Sequence, residues 1–441
     1  MTRSSRSPSW SLRRAARPRT SPTTDRSTRS TFMGLTFAKQ GGSMKIYYKL
    51  TVLVALAVIC SGPISAQQST ENLSSGLPAV VATWSQYGFI ATHSSVNTFA
   101  HTFTRANVSS LSFQWAGELG TPGASAPVVG QGIVYVAADG MIFAFQASDG
   151  TPLWSHLSCS GVDTVEAALG PQVLLVGDGD GDLAAYDPVN GNQIWCNEEG
   201  GSITSAPAVD GTTVYITNGS DAIALDQATG TERWRFTPSD FSPLTNTPAV
   251  FNQAVYVTGG SSVFALSRTT GQELWRTDLE QQTNISAPSV AGNAVYIGGK
   301  HLYALRASDG NVLWTQDIVG VNVSMPAIAY GKVFVNSQDP QFGLWAFKAE
   351  TGAFLWRSRM TEESLATVTV ANGVIFAIAR PGGLGGAGGL MMFNSETGAF
   401  LGSILDPDGH PFNHVLRSQP AVVRGAVYVS TGDRVDAFRL P

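Results

Sequence analysis

The sequence contains only three cysteines, Cys60, Cys159 and Cys196, which is too few for a disulfide-rich framework. Charged residues make up 13% of its 441 residues, and long runs with helical periodicity are missing. The apolar run from Leu50 to Ile59 is shorter than the about 20 residues that a membrane-spanning helix needs. Glycine is abundant instead, at 47 residues, and it accompanies many Val, Ile, Tyr, Phe and Thr residues. This composition is typical of short strands joined by tight turns.

One unit of about 40 residues recurs along the chain, which is the period of a four-stranded propeller blade. In six units a turn ends in glycine and a tryptophan follows four residues later, whereas Leu401 follows Gly398 in the seventh. Steps between successive tryptophans are 39 to 42 residues. The six glycines are Gly150, Gly191, Gly230, Gly271, Gly310 and Gly352, and the tryptophans that follow them are Trp154, Trp195, Trp234, Trp275, Trp314 and Trp356.

Each unit divides into four short strands. In the third unit they begin at Ala206-Pro207, then Val214-Tyr215-Ile216, Ala224-Leu225 and Trp234. Proline cannot donate to a strand ladder and is confined to sheet edges, so we expect the first strand to line a central channel. The unbroken apolar second strand indicates that both of its faces are covered, and small beside large residues in the third suit interlocking blades. Each tryptophan should be a core residue and dominate the contact between neighbouring units.

The array is circularly offset. The C-terminal unit, Val422 to Arg439, supplies three strands, and Leu111 to Trp115 is typical of an isolated fourth strand. Pairing the two would close the ring and remove its exposed edge. The sequence therefore predicts an all-β, eight-bladed β-propeller of four-stranded antiparallel blades, closed by an N-terminal strand pairing with the C-terminal three. The unit before the last is degenerate, with Thr367 to Val370 in place of the Pro-containing start.

The residues before the propeller have a different character. Residues 1–43 are basic and rich in Ser, Thr and Pro, which indicates a disordered or non-native leader. Residues 44–66, with Lys45 and Lys49 before the apolar run, are typical of a secretory signal peptide, and 67–83 form a linker to the propeller at 84–441. A lipid anchor at Cys60 is disfavoured because Ile59 precedes it. Without the leader and the signal, residues 67–441 carry a formal charge of −15, which excludes nucleic acid as a partner.

The units resemble the pyrroloquinoline-quinone (PQQ) repeat, in which Ala-Leu-Asp-x-x-Thr-Gly-x-x-x-Trp recurs. Residues Ala224 to Trp234 match that pattern position by position. The lead-in is also similar to that family, in Trp84 to Gly88 and in Ala106 to Leu111 before Trp115. The resemblance covers roughly residues 84–440, and it implies the propeller fold. For function it implies less, because one fold hosts several activities.

Two kinds of protein share this repeat. One kind, the quinoprotein dehydrogenases, holds PQQ and Ca²⁺ at the propeller axis, uses an Asp base and, in the alcohol enzymes, an adjacent Cys-Cys pair. This sequence has no Cys-Cys and no Glu and Asn that match as metal ligands. The other kind is non-catalytic, such as the outer-membrane assembly lipoprotein that binds its partner through loops and short edges.

The sequence therefore favours a secreted, periplasmic, monomeric binding or scaffold protein with no catalysis and no cofactor of its own. A protein partner or small ligand would bind at the rim or in the channel. A PQQ- and calcium-dependent dehydrogenase of alcohols or sugars is the alternative, and a polysaccharide or cell-wall binder is a second.

Four features suggest chemistry of their own. Asp178, Asp180 and Asp182 alternate as in a calcium loop, but Leu183 and Val189 replace the Gly and Glu that an EF-hand needs, so we interpret them as a hairpin turn. The glycine-rich run 382–389 precedes a strand instead of a helix and is interpreted as a loop. His410 and His414 are separated by Pro411 and lack a third ligand. The remaining histidines, His93, His101, His156 and His301, are scattered.

Cys159 and Cys196 fall in successive units. An oxidising compartment would allow them to pair, but the sequence cannot show that their Cα atoms come within bridging range. Two separate buried thiols are therefore the favoured interpretation.

Overall fold

The computed structural model describes residues 83–163, 166–279, 285–318, 323–337, 343–360, 366–379, 389–404 and 418–441. These residues form 33 strands and a single 3₁₀ turn at Val108–Ser110. No helix among them has the length and apolar character required to cross a membrane. The assignments for residues 1–43, 44–66 and 67–82, the lipidation site Cys60, His410, His414 and the loop 382–388 all lie outside the described residues.

Every strand is short. In chain order they are β1 (Val96–Asn97), β2 (Ser112–Glu118), β3 (Val128–Gly130), β4 (Ile133–Ala138), β5 (Met141–Gln146), β6 (Pro152–Leu157), β7 (Ala168–Leu169), β8 (Leu174–Gly177), β9 (Asp182–Tyr186), β10 (Gln193–Glu198), β11 (Ala208–Asp210), β12 (Thr213–Thr217), β13 (Ala222–Asp226), β14 (Glu232–Phe236), β15 (Ala249–Phe251), β16 (Ala254–Gly259), β17 (Ser262–Ser267), β18 (Glu273–Asp278), β19 (Ser289–Ala291), β20 (Ala294–Ile297), β21 (His301–Arg306), β22 (Val312–Asp317), β23 (Ala327–Ala329), β24 (Lys332–Ser337), β25 (Gly343–Lys348), β26 (Phe354–Arg359), β27 (Thr369–Ala371), β28 (Val374–Ala379), β29 (Gly389–Asn394), β30 (Phe400–Ile404), β31 (Ala421–Val423), β32 (Ala426–Ser430) and β33 (Arg434–Arg439).

The strands from β2 to β33 form eight antiparallel four-stranded blades, which confirms the prediction. Blades one to seven begin at β3, β7, β11, β15, β19, β23 and β27, and each takes four consecutive strands. Each blade's first strand contacts the first strand of the next blade, and β31 contacts β3, so the ring is closed. The first strands are therefore innermost.

Blade eight confirms the predicted closure. Its order is β2-β33-β32-β31, with Phe113 opposite Phe438 and Trp115 opposite Ala437. The ring of Trp115 lies 5.8 Å from that of Tyr428, and the ring of Phe113 lies 6.1 Å from that of Phe438. The first and last parts of the propeller are thus joined within one sheet.

The repeated tryptophan and glycine contact each other across neighbouring blades. In blade three Trp234 stands opposite the small residue Ala224, and its indole Nε1 donates to the carbonyl of Arg268 in blade four at 2.9 Å. Gly271 of blade four has φ +70°, and a Cβ there would lie 2.6 Å from the Trp234 ring. Each turn glycine is therefore required both for its backbone conformation and for the preceding blade's tryptophan. The same approach joins Gly150 to Trp115, Gly191 to Trp154, Gly230 to Trp195, Gly310 to Trp275, Gly352 to Trp314 and Gly398 to Trp356.

The burial of these tryptophans is less uniform than the sequence predicts. Trp314 is buried, at 9% exposure, but Trp154, Trp195 and Trp356 are only half-buried. All four lie in the fourth strand of their blade, which is the outermost strand and has no neighbour on its outer side. The expectation that every tryptophan is a core residue is therefore corrected for Trp154, Trp195 and Trp356, which lie between the next blade and solvent.

The hydrogen bond to the next blade also varies among the tryptophans. The indole Nε1 of Trp314 donates to the carbonyl of Ala349 at 2.9 Å, and that of Trp195 donates to the carbonyl of Gln227 at 3.1 Å. The Nε1 of Trp356 is buried and has no hydrogen-bond partner among the described residues. Trp356 faces the degenerate blade seven, so the contact is weakest where the repeat itself departs from its pattern.

A tyrosine reinforces this contact in four blades. In blade four, Tyr256 and Trp275 pack at 5.9 Å and both donate to the carbonyl of Ala307 in blade five. Blade seven has Leu401 in place of the tryptophan because the following blade has no such turn. In blade eight the third strand is β33 and the fourth is β2, which comes from the N-terminal side, so Val108–Ser110 lies beside β30 instead.

Cys159 and Cys196 form a disulfide with a Cα–Cα distance of 6.3 Å, so the interpretation as separate thiols was wrong. Cys159 follows β6 of blade one, and Cys196 lies in β10 of blade two. Since outer strands of neighbouring blades converge at the same corner, residues 37 apart in sequence come within bridging range. The disulfide fits an oxidising compartment.

Replacing both cysteines by serine is expected to lower the free energy of unfolding by about 3 to 4 kcal/mol, because a loop of that length in the unfolded chain is no longer constrained. Urea denaturation of the oxidised protein, the reduced protein and the Cys159→Ser/Cys196→Ser variant would measure this. The reduced protein and the variant should agree. Equal stability of all three would contradict the expectation.

Candidate functional site

The N-terminal segment 84–97 fills the centre of the ring and hydrogen-bonds to the innermost strand of every blade in turn. We call it the axial plug. It contacts the second residue of each innermost strand, always at the same register. The pairs around the ring are Trp84/Val129, Ser85/Leu169, Gln86/Val209, Ala91/Val250, Thr92/Val290, Ser94/Ile328, Ser95/Val370 and Asn97/Val422.

The plug satisfies backbone groups that a propeller would otherwise leave unpaired at its axis. Most of its bonds use main-chain carbonyls, as in Thr92 O accepting from Val290 N at 2.8 Å. Two use side-chain amides, since Gln86 both donates to and accepts from Val209, and Asn97 donates to the Val422 carbonyl. β1 also extends blade seven as a parallel fifth strand. The predicted channel is therefore occupied at this level by the chain itself.

His93 is a fully buried part of the plug. Its Nδ1 lies 3.1 Å from the Pro288 carbonyl, and its Nε2 has no hydrogen-bond partner among the described residues. Burial lowers the pKa of His93 to about 4, although the bond to Pro288 opposes that shift. The ring is therefore neutral at pH 7 and donates from Nδ1.

Because the folded-state pKa of His93 lies below its ordinary value of 6.5, the unfolded chain binds a proton that the folded chain does not. Stability should fall as the pH drops from 6.5 towards 4, by roughly 3 kcal/mol from this residue. His93→Gln should lose this part of the pH dependence, and exposed His101→Gln should keep it. Urea midpoints at pH 7 and pH 4.5 would measure this change in stability with pH. An equal change in the two variants would refute the assignment to His93.

Two adjoining clefts flank the plug on the face that carries the turns between first and second strands. We call this the plug face. One cleft, of about 550 Å³, lies between the plug and blades one to four, and the other, of about 620 Å³, lies between the plug and blade six. Ile90 lines both.

The clefts differ in character. The first contains the ion pair of Arg268 with Asp210 beside Phe251. The second is lined mainly by apolar side chains, which are Phe89, Ile90, Val96, Phe99, Ile328, Ala329 and Tyr330, together with Thr83, Ser85, Ser94 and Thr98. Among the described residues, neither lining contains histidine, lysine or cysteine. Such surfaces can bind an apolar side chain next to a charged one.

Tyr330 has an unusual conformation at the edge of the second cleft. Its φ is +53°, a region that costs about 1 kcal/mol or more for a residue with a side chain, and it is 53% exposed. The Tyr330 hydroxyl accepts a hydrogen bond from the backbone of Gly373 in blade seven at 3.0 Å. Ile90 and Phe99 are also exposed, at 42% and 43%. Three large apolar side chains are thus presented to solvent around one depression.

At the opposite end of the channel, each blade places one residue two positions before its innermost strand. These residues are Ala126, Glu166, Ala206, Thr247, Ala287, Met325, Thr367 and Gln419. Tyr87 of the plug lies 2.9 Å from Thr367, hydroxyl to hydroxyl, and Gln419 accepts from the Gly88 amide at 2.8 Å. Glu166 is the one carboxylate of this set, and sequence reasoning missed it because blade two lacks the repeated proline.

This end of the channel can be tested against the group that the PQQ resemblance implies. A Ca²⁺-bound quinone with an Asp base needs several carboxylate and amide oxygens together. Among the described residues, the single group of three potential metal ligands is Cys159, Asp182 and Cys196, away from the axis. Its two sulfurs are joined in the disulfide. Among the described residues, no group of three His, Cys, Asp or Glu side chains lies at the axis.

The structure places the aspartates of the suspected calcium loop in the hairpin between β8 and β9, as predicted. Asp178 is buried and accepts from Ser160 Oγ at 2.6 Å and from the Asp182 amide at 3.0 Å. The carboxylate oxygens of Asp178 therefore stabilise the turn. His156 reaches the Asn190 carbonyl and His301 lies beside Asp317, so neither joins a common site.

Comparisons with known proteins agree with this architecture. The family model described as outer membrane protein assembly factor BamB matches residues 102–258, 179–282, 219–318 and 259–439. No curated protein sequence matches the chain.

Solved structures share the fold at low identity. The chain is similar to the quinohemoprotein alcohol dehydrogenase from Comamonas testosteroni, at 16% identity and a TM-score of 0.67 over 81% of this chain and 80% of that one. It is also similar to a europium-containing methanol dehydrogenase, at 13% identity and 0.63 over 79% and 89%. A computationally designed protein, Ika8, matches at 18% identity and 0.62 over 74% and 99%. These likenesses show the fold alone.

Proposed function

The chain belongs to the family described as outer membrane protein assembly factor BamB, and from this premise we propose that it is an extracytoplasmic binding or scaffold protein without catalysis of its own. The plug face is its binding surface. A periplasmic location accords with the family and with the disulfide. A lipid anchor at Cys60 is not part of the proposal.

The observation that carries this proposal is the depression centred on Ile90. Its two clefts have volumes in the range of ligand sites. Exposed Ile90, Phe99 and Tyr330 line the apolar cleft, and the adjoining cleft, which Ile90 also lines, contains the ion pair. An apolar centre with a polar edge is the composition of protein interfaces. We propose a protein partner that inserts an apolar side chain beside Ile90, with a polar group directed to Arg268 or Asp210.

Cross-linking in envelope extract, with the mature chain as bait, would test the surface. Ile90→Asp/Phe99→Asp should abolish capture of the wild-type partner, because both charges would be placed in apolar contacts. Leu274→Asp, at an exposed outer-strand position, is the matched control and should capture normally. Loss in both variants, or in neither, would contradict the assignment of the plug face.

The catalytic alternative has its own test. The mature chain would be titrated with PQQ and Ca²⁺ while the quinone absorbance and dye-linked alcohol oxidation are recorded. Saturable binding with turnover would overturn the proposal, and the absence of both would support it.

A further inference from the structure

The negative charge of residues 67–441 is concentrated in one part of the ring. Residues 106–232, which run from β2 to blade three, contain 15 Asp and Glu and no Lys or Arg. This stretch accounts for the whole formal charge of −15 of residues 67–441, and the remainder is balanced. Blade three is partly neutralised, because Arg233 pairs with Asp226 and Arg235 pairs with Asp221 and Glu232. Blades one and two have no cation of their own.

Carboxylates of blade two are crowded together. Burial and then the nearby charges of Asp178, Glu198 and Asp180 raise the pKa of Asp182. Like charges therefore add to the effect of burial at Asp182, and Arg235 of blade three pairs with Glu199, which follows β10. A cationic partner would relieve that repulsion.

An exposed strand lies beside this charge. β6 is the terminal strand of blade one, so one of its backbone edges is unpaired within the sheet. Trp154 is its only residue that is not exposed, and no other outer strand is so open. Leu153 and Leu157 are 42% and 66% exposed. Proteins usually protect such edges with lysine, and none is present here.

Contacts bring the strand and the carboxylates to one corner. Leu157 packs near Gly161, and the Ser158 amide donates to Gly140, beside Asp139. Asp163 accepts from the Gly179 amide through its backbone, so the loop after β6 lies against the aspartate hairpin of blade two. The disulfide from Cys159 to Cys196 fixes the two blades at this position. A rigid, acidic and partly apolar edge results.

We propose that the outer edge of β6 binds an extended segment of a partner protein in which basic residues alternate with apolar ones. Strand addition would use the backbone from Leu153 to Leu157, since Pro152 has no N–H to donate. Apolar side chains of the segment would cover Leu153 and Leu157, and its lysines or arginines would face Asp139, Asp163 and Asp180. Alternation is required because successive strand residues point to opposite faces.

The charge decides between kinds of partner. Anionic membranes and nucleic acids would be repelled by this sector, whereas a cationic segment would be attracted and its association accelerated. The exposed leucines favour a peptide with apolar side chains over a purely polar polycation. This second surface extends the proposed binding function and is independent of the plug face.

A lysine–valine alternating peptide of ten residues is the probe, and the glutamate–valine peptide of equal length is its control. Fluorescence anisotropy with chain 67–441 should show at least tenfold tighter binding of the basic peptide. Its affinity should fall at least tenfold between 50 and 300 mM salt. Amide exchange should become slower at Leu153, Ser155 and Leu157 in the complex.

Two variants distinguish binding at β6 from a general attraction of the cationic peptide to a negatively charged protein. The variant Leu153→Ser/Leu157→Ser/Asp163→Lys should bind the basic peptide at least tenfold more weakly. The matched rim variant Leu274→Ser/Leu313→Ser/Asp309→Lys should change the affinity less than twofold. Equal binding of both peptides, equal loss in both variants, or protection at another strand would overturn the proposal. Ile90→Asp/Phe99→Asp should keep full peptide affinity, so failure of the plug-face assignment would be recognised separately.

Discussion

A chain that begins at Ala100 instead of Thr83 is expected to lose cooperative folding, because it lacks the axial plug. Backbone amides of Leu169, Val250, Val290, Ile328 and Val370 would lose their partners at the centre of the ring. An unsatisfied buried polar group costs about 1 to 3 kcal/mol. Buried Trp84 and Phe89 would be removed as well, at about 2 to 3 kcal/mol each. The total equals or exceeds the about 5 to 15 kcal/mol that stabilises a typical protein.

Circular dichroism during urea titration, with size-exclusion chromatography, would measure the effect. The chain that begins at Thr83 is the control and should unfold in one cooperative transition. Gln86→Ala within that chain should give an intermediate loss of about 1 to 3 kcal/mol, since Val209 loses both bonds. A monomeric, cooperatively folding chain from Ala100 would refute the structural role of the plug.

Trp234→Ala is expected to destabilise the protein by about 3 to 5 kcal/mol, the usual cost of truncating a large buried aromatic residue. Trp234 is 7% exposed, packs 5.8 Å from the Tyr215 ring and bonds to the next blade. Leu401→Ala is the matched control at the same repeat position. It should cost less because Leu401 is only partly buried and no turn glycine of the described residues faces it.

The contact of Trp234 with Gly271 gives that prediction a sharper form. Gly271→Ala should itself destabilise, through a positive φ and a clash with the indole. In the double variant Trp234→Ala/Gly271→Ala the clash is absent. Its loss of stability should therefore be smaller than the sum of the losses in the two single variants. Urea denaturation of the four proteins would complete the cycle. Additive losses would mean that the two residues do not interact.

Much of the fold was accessible from the sequence because the repeated residues have local causes. A glycine at positive φ and a tryptophan four residues later recur at a period that fits a single architecture. What the sequence did not show is that each glycine faces the tryptophan of the preceding blade. Gly271 and Trp275 are neighbours in sequence, but Gly271 and Trp234 form the contact.

The repeat also concealed differences between its copies. Trp195, Trp314 and Trp356 occupy one position of the pattern, yet Trp314 is buried whereas Trp195 and Trp356 are half-buried, and Trp356 lacks the bond to the next blade. How far each ring is covered depends on the neighbouring blade, which the sequence of a single unit does not contain.

The axial plug was not predicted because it has no repeat and acts mainly through backbone carbonyls, which any sequence supplies. Gln86 and Asn97 are the side chains that could have suggested it, and each is a single amide without a motif. The disulfide was missed for a related reason, since the approach of Cys159 to Cys196 depends on how two blades pack. The plug-face clefts likewise arise from segments far apart in sequence, as the separation of Ile90 from blade six illustrates.

Closure through β2 also determines when the protein can fold during its synthesis. Phe113 of β2 must wait for Phe438, which lies 325 residues further along the chain, before its sheet is complete. Contacts between such distant residues form slowly, and an unfinished sheet offers an edge for aggregation. A nascent chain would therefore remain an open arc until β31 to β33 leave the ribosome, and chains that stop before these strands would be substrates for chaperones and proteases.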